Sequence, residues 1–222
     1  MDMPFRPPHA KEMQPRLPRE GVSAVLQRFT HAAHVRINQH PLLTGLTRPG
    51  YPLDRYVALL AAYRHIYAVI EHGIDTFLGS NVVPFSYSER RKLPWLLADL
   101  QHFGIDPESP AFSPLRPVVL APLANCGALI GTLYAIEGAT LGGQVISRHL
   151  AESLALTPSA GACFFSGYGD ASETQKRWQE FGVFADSVRH DPEQQGAAEL
   201  AALAVFELIE GQLNDYHARL EH

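Results

Sequence analysis

Apolar residues return every three or four positions along most of this chain, which is the signature of helices that bury one face. Val22, Val25, Leu26, Phe29, Ala33 and Ile37 predict a first helix that Pro41 ends. After the Pro49-Gly50 and Pro52 connection, Tyr56, Leu59, Leu60, Tyr63, Tyr67, Ile70, Ile74 and Phe77 trace a long amphipathic helix. Ser86 with Glu89 reads as a capping box for a helix carrying Leu93, Trp95, Leu96, Leu97, Leu100 and Phe103, stopped at Gly104. Pro94 falls within its first turns, where a missing amide does least harm. Residues 107–122 are proline-rich and read as a loop with one helical turn, and Asn125 then caps the next helix. Thr157 to Gly169 reads as irregular. Asp170 with Glu173 opens a helix carrying Trp178, Phe181 and Phe184, and Asp191-Pro192 opens the last, with Leu200, Leu203, Phe206, Ile209 and Leu213. No stretch alternates with period two. The expectation is an all-α fold with one domain, residues 21–222, behind a proline-rich N-terminal tail, residues 1–20.

One helix breaks the pattern. Leu133 to Gly143 begins as a good helix, then carries Gly138, Gly142 and Gly143 in its second half. Each interior glycine weakens a helix by about 1 kcal/mol relative to alanine. A helix that bends at these glycines and continues offers a flat, bulky ligand a surface of bare main chain.

Composition narrows the possible partners. The 222 residues are 46% hydrophobic with a formal net charge of −5, and no dense basic run offers a nucleic-acid surface. Arg90-Arg91-Lys92 is the longest basic run and reads as a solvated helix turn. No apolar run reaches the roughly 18 residues of a membrane span, and no signal-like segment opens the chain, so a cytoplasmic protein is expected. Cys126 and Cys163 form no CxxC and no metal spacing, which suits core packing in a reducing compartment.

Eleven histidines raise the question of a metal. A carboxylate-bridged di-iron core needs Glu-x-x-His, which is absent; Asp99-x-x-His102 is the nearest approximation and stands alone. Zincin, nucleophile-elbow and Walker motifs are also absent. His31 and His34 lie one turn apart on the first helix. His34 shares its face with Leu26, Thr30 and Ile37, suited to the wall of an apolar cavity, whereas His31 groups with Ala24, Gln27, Arg28 and Asn38. A lone helical histidine serves either as a hydrogen-bonded packing residue or as a ligand.

The run Arg28-Phe29-Thr30-His31-Ala32-Ala33-His34 resembles the proximal motif of the haem oxygenases, with a threonine four residues before the axial histidine. Leu133 to Gly143 looks like the distal helix of the bacterial members, close to Leu-Tyr-x-x-Glu-Gly-Ser-Thr-Leu-Gly-Gly. Phe164-Phe165-x-Gly-Tyr-Gly, Trp178-x-x-Phe181 and the 198–213 helix are similar in content and order, so the resemblance runs from about residue 22 to about 216. Gln27 stands where the family usually carries a basic residue, and Ala139 replaces the common serine or glycine.

The resemblance implies a haem sandwiched between a proximal and a kinked distal helix, with His34 as iron ligand and haem as both cofactor and substrate. Thr30 and Tyr134 are implied beside it, and Arg28, Lys176 and Arg177 are the nominees for its propionates, each with a solvated-surface alternative. The catalytic backbone would be Gly138, Gly142 and Gly143, which keep an acid away from bound oxygen and leave room for water. Ring opening would give biliverdin, carbon monoxide and ferrous iron, with electrons from an external ferredoxin or reductase. A bilin-accepting photoreceptor such as a bacterial phytochrome is one destination of the product, and iron acquisition the other purpose. Tyr63 and Tyr67 read as core aromatics, and Glu137 either accepts from an arginine or lies on the surface. Two alternatives stand beside this reading: a haem carrier of the same fold without turnover, and a thiaminase-like enzyme that would rely on Cys126.

Overall fold

The structure is a computed structural model that describes residues 20–221, so the proline-rich segment lies outside the described residues except for Glu20. Among the described residues the regular structure is helical. Helix α1 (Val22–Asn38) buries Val22, Leu26, Thr30, Ala33 and Ile37. A short α2 (Pro41–Thr44) follows, its N-terminus capped by His40, whose ring nitrogen accepts from the Leu42 amide at 3.1 Å. Helix α3 (Leu53–Ser80) carries the long apolar stripe. Then come a 3₁₀ turn (Ser88–Arg90) and α4 (Leu93–His102). The remaining helices are α5 (Cys126–Leu154), the short α6 (Cys163–Ser166), α7 (Ala171–Ala185) and α8 (Pro192–Leu220).

Asn125, Asp170 and Asp191 cap α5, α7 and α8 as their positions predict. Helix α4 ends on Gly104 at φ +68°, where the Ile105 amide reaches back to the Leu100 carbonyl at 3.0 Å. Its start departs from expectation. The Ser86 hydroxyl pairs with Ser88 at 3.1 Å, while Glu71 of α3 caps α4 instead, its Oε1 accepting from the amides of Lys92 at 2.6 Å and Leu93 at 3.2 Å. The irregular expectation for 157–169 is corrected by α6, which Asp99 caps through the amides of Cys163 and Phe164 at 2.8 and 2.9 Å. That role, with Asp99 buried, removes Asp99-x-x-His102 as a ligand pair.

Arg90-Arg91-Lys92 is not a solvated turn. Arg90 and Lys92 are 2% and 0% exposed, because Glu137 offers both a carboxylate at 2.9 and 2.6 Å. Only Arg91 points outward, to Asp75.

Helix α8 is the hub on which α5, α1 and α3 pack, with α6 and α7 covering α5 and α4 lying on α3. The α5–α8 contact is backbone on backbone. A methyl at Gly127 or Gly131 would stand 2.0 Å from the carbonyl oxygen of Gln194 or Ala198. Tyr63 and Tyr67 lie in an aromatic cluster, 5.3 and 5.2 Å from Phe164. The helix through Gly138, Gly142 and Gly143 is uninterrupted.

Two outcomes are expected. Gly131→Val should destabilise the fold by at least about 1–3 kcal/mol in urea titration, since neither backbone can yield. The second concerns pH. Burial, then the neighbouring His217, lowers the His40 pKa. The unfolded chain therefore takes the proton first. The contribution of His40 is complete above its unfolded value of about 6.5 and is lost as pH falls through that value toward the depressed folded one. Urea midpoints should fall between about pH 7.5 and 5.5, and His40→Asn, which retains a capping oxygen, should reduce that fall.

Candidate functional site

The three glycines of α5 meet three different surroundings. A methyl at Gly138 would touch the Trp178 ring at 3.7 Å, and one at Gly143 would press to 2.8 Å from the Phe165 carbonyl oxygen. At Gly142 the added methyl would meet nothing within 4 Å. Gly143 is thus needed for packing on α6, Gly138 seats an indole, and Gly142 alone opens outward. Its neighbours on that face are apolar and uncovered: Ala139 is exposed, and Leu141 and Val145 are 36% and 44% exposed. Phe29 on α1, 43% exposed, is a further uncovered apolar side chain.

His34 and His31 both reach the surface of α1. The His34 ring stands edge-on to Phe206 of α8, 6.0 Å between centroids, and its Nδ1 lies 3.3 Å from the Asn38 carboxamide. Desolvation, then the nearby His31, lowers its pKa, which favours neutral imidazole. Rotating the Asn38 carboxamide by 180° lets Nδ1–H donate to the amide oxygen, leaving the Nε2 lone pair for a metal. The sequence grouped Asn38 with His31, whereas the structure places it against His34, one turn before it. Among the described residues no three His, Cys, Asp or Glu side chains group as a metal site.

Thr30 and Tyr134 meet each other. The Tyr134 hydroxyl of α5 lies beside Thr30 of α1, which holds its pKa down against the rise that burial causes, and Thr30 donates to the Leu26 carbonyl at 2.8 Å. The Tyr134 ring lies 5.9 Å from Trp178. Of the propionate nominees, Lys176 and Arg177 share Glu173 as a partner, and Arg28 does not. Arg28 pairs with Glu20, exposed Lys176 with Glu173 at 3.5 Å, and Arg177 with Glu173 at 2.7 Å and Glu89 at 3.2 Å. Arg28 and Lys176 stay free to swing; Arg177 is held. Cys126 is half-buried, and desolvation raises its pKa, which disfavours the thiolate a nucleophile needs. Glu137 is neither surface nor site lining, being 1% exposed and ion-paired behind α5.

The family model described as "Heme oxygenase" matches residues 20–214. A curated heme oxygenase from Xanthomonas campestris pv. campestris is 32% identical over 109 residues, which covers 49% of this chain and 61% of that protein, less than two thirds of its length. The NO- and CO-bound heme oxygenase of Neisseria meningitidis superposes with a TM-score of 0.71 at 20% identity, over 90% of this chain and 94% of that one. Heme oxygenase-1 of the cyanobacterium Synechocystis, solved in complex with haem, gives 0.68 at 14% identity over 91% and 95%. At these identities the structural likeness is one of fold.

The glycines separate in a paired test. Gly143→Ala should cost about 1–3 kcal/mol of stability, because the carbonyl it meets is backbone. Gly142→Leu should keep or slightly raise stability, by up to about 1 kcal/mol, since a helical glycine is replaced in open space. Haemin titration followed at the Soret band should nevertheless show its affinity reduced about tenfold or more, the side chain standing where a flat ligand would lie.

Proposed function

This chain belongs to the haem oxygenase family, and we propose that it cleaves haem to biliverdin, carbon monoxide and ferrous iron with molecular oxygen and external electrons. The observation that carries the proposal is that this fold has an exposed imidazole on α1, His34, whose Nδ1 faces the Asn38 carboxamide, and an open, side-chain-free Gly142 on α5. Of a bound haem, His34 would hold the iron and Gly142 would offer bare main chain in place of a side chain. Bound haem supplies the iron that binds and activates oxygen and the porphyrin edge that is attacked.

The protein's own part is positional and electrostatic. His34, neutral, presents Nε2, and Asn38 one turn on fixes the ring's orientation. Gly142 lets α5 lie against the macrocycle. No acidic side chain stands on this face, since Ala139, Leu141, Gly142 and Val145 carry none. The nearest carboxylate along the helix, Glu137, is committed to Arg90 and Lys92. With no acid on this face, these residues would leave proton delivery to water rather than to a protein side chain. Arg28 and Lys176, exposed and paired only at the surface, would be the residues to hold the propionates, with Arg177 a more constrained third. Gly138 and Gly143 act at one remove, by seating Trp178 and α6. A ferredoxin or separate reductase supplies electrons. A bilin-accepting photoreceptor is the proposed user of the product. The free cysteines support a reducing, cytoplasmic setting, and no described helix is long and apolar enough to cross a membrane.

Reconstitution with haemin, followed by ascorbate or a reductase under air, should bleach the Soret band as biliverdin absorption grows; haem that stays bound and intact would make this a carrier. His34→Ala should abolish the six-coordinate ferric spectrum and steady turnover, with imidazole restoring both. The same loss from His31→Ala, with His34→Ala unaffected, would transfer the ligand role to His31.

A further inference from the structure

The glycine-bearing half of α5 is weak as a helix and uncovered on its front, so whatever holds it in place must lie behind it. Behind it runs a polar stripe at steps of three and four: Glu137, Thr140, Gln144 and Ser147. Gln144 donates to the Ser166 carbonyl at 2.8 Å, and Ser147 meets the Ser166 hydroxyl at 2.9 Å. These moor the helix to α6. At its head, Glu137 accepts from Lys92 Nζ at 2.6 Å, Arg90 Nη1 at 2.9 Å and the Tyr168 hydroxyl at 2.9 Å.

The cluster is closed. Lys92 has three donors, and all are used: Glu137, the Arg90 carbonyl at 2.7 Å and Tyr168 at 3.0 Å. Arg90 also reaches the Arg177 carbonyl at 3.1 Å and Glu180 at 2.6 Å, tying in α7. Tyr168 is turned inward between Gly167 and Gly169, at φ +58° and +95°, a backbone that side chains rarely adopt. Three segments, the turn before α4, α5 and α7, are thereby pinned at the level where the glycines begin.

We infer that Lys92, Arg90 and Tyr168 are positioning residues that act through Glu137 to set the height and register of the open α5 face. An apolar contact in their place would let the helix slide; directional hydrogen bonds to one carboxylate do not. A buried ion pair is seldom the most stabilising filling for such a space, and specifying one register is the use that suits it here. That this face seats haem rests on the proposed function; that the cluster positions it rests on the geometry.

The test is hydrogen exchange followed by mass spectrometry on the haem-free chain, with Lys92→Met and Glu137→Gln combined. Both charges disappear together, the Arg90–Glu180 pair remains, and the new amide still accepts from Arg90 and Tyr168. Amides of residues 139–147 should exchange about tenfold faster or more, with α3 and α8 unchanged. Haem affinity of the same variant should fall by a comparable factor. Unchanged protection at 139–147 overturns the inference, as does a loss spread evenly over α3, α5 and α8, which would mark a general stabiliser. Should the double variant not fold, Tyr168→Phe removes one hydroxyl and should speed exchange about threefold at 139–147 alone; no local change there also overturns it. Absence of haem binding in the parent chain would refute the functional reading while leaving the exchange result to decide this one.

Discussion

Helix α5 touches α8 with main chain against main chain at Gly127 and Gly131, and that contact divides the helix into two parts with different tasks. On the α8 side no side chain fits between the carbonyls of Gln194 and Ala198 and the α5 backbone, so the first turns are fixed closely in rotation and height. From Glu137 onward, support comes from α6, α7 and the turn before α4 instead. Because that support is applied entirely from behind, the front stays uncovered at Ala139, Leu141, Gly142 and Val145. A helix anchored along one half and braced along the back of the other can carry three glycines without losing its place.

The same residue type therefore does opposite things along one helix. Gly127, Gly131 and Gly143 are small because protein backbone occupies the space their side chains would fill. Gly142 is small where no protein atom is near. In sequence these positions look alike, and Gly127 and Gly131 gave no separate signal because their partners lie about seventy residues away on another helix. What the chain's local pattern can reveal is limited to one element: it located the long helices but not α2 or α6, the capping roles of Asn125, Asp170 and Asp191, and the membership of Thr30 and Ile37 in the buried face of α1, whereas His34, grouped with them, is exposed.

The charged residues were legible only to the extent that their partners were local. Arg90 and Lys92 resemble a solvated turn because the carboxylates that meet them are distant in sequence, Glu137 on α5 and Glu71 on α3, while the adjacent Glu89 turns to Arg177. Glu71 likewise displaced the capping role that Ser86 and Glu89 suggested for α4. Arg177, a plausible free cation on spacing alone, is drawn to Glu89, which belongs to the turn before Arg90. Asn38 is the converse case: its partner is local, yet face geometry assigned it to His31, and the four-residue spacing to His34 is what the structure uses.

Placing two cations and a carboxylate behind a helix whose front is meant to lack charge raises an electrostatic question, because an unbalanced buried charge acts over long distances where water is excluded. The cluster resolves it by closing on itself. Lys92 and Arg90 are met by Glu137, with Glu71 and Glu180 at the flanks, and Tyr168 completes the carboxylate's contacts without adding charge. Desolvation would otherwise push the Lys92 ammonium toward its neutral form, and the Glu137 carboxylate opposes that shift. Positioning by paired charges is compatible with an apolar, acid-free face only when the pairing is this complete. The front of α5 and the network behind it are then two parts of one requirement: the open face works by lacking side chains, and the side chains that make this possible are satisfied among themselves.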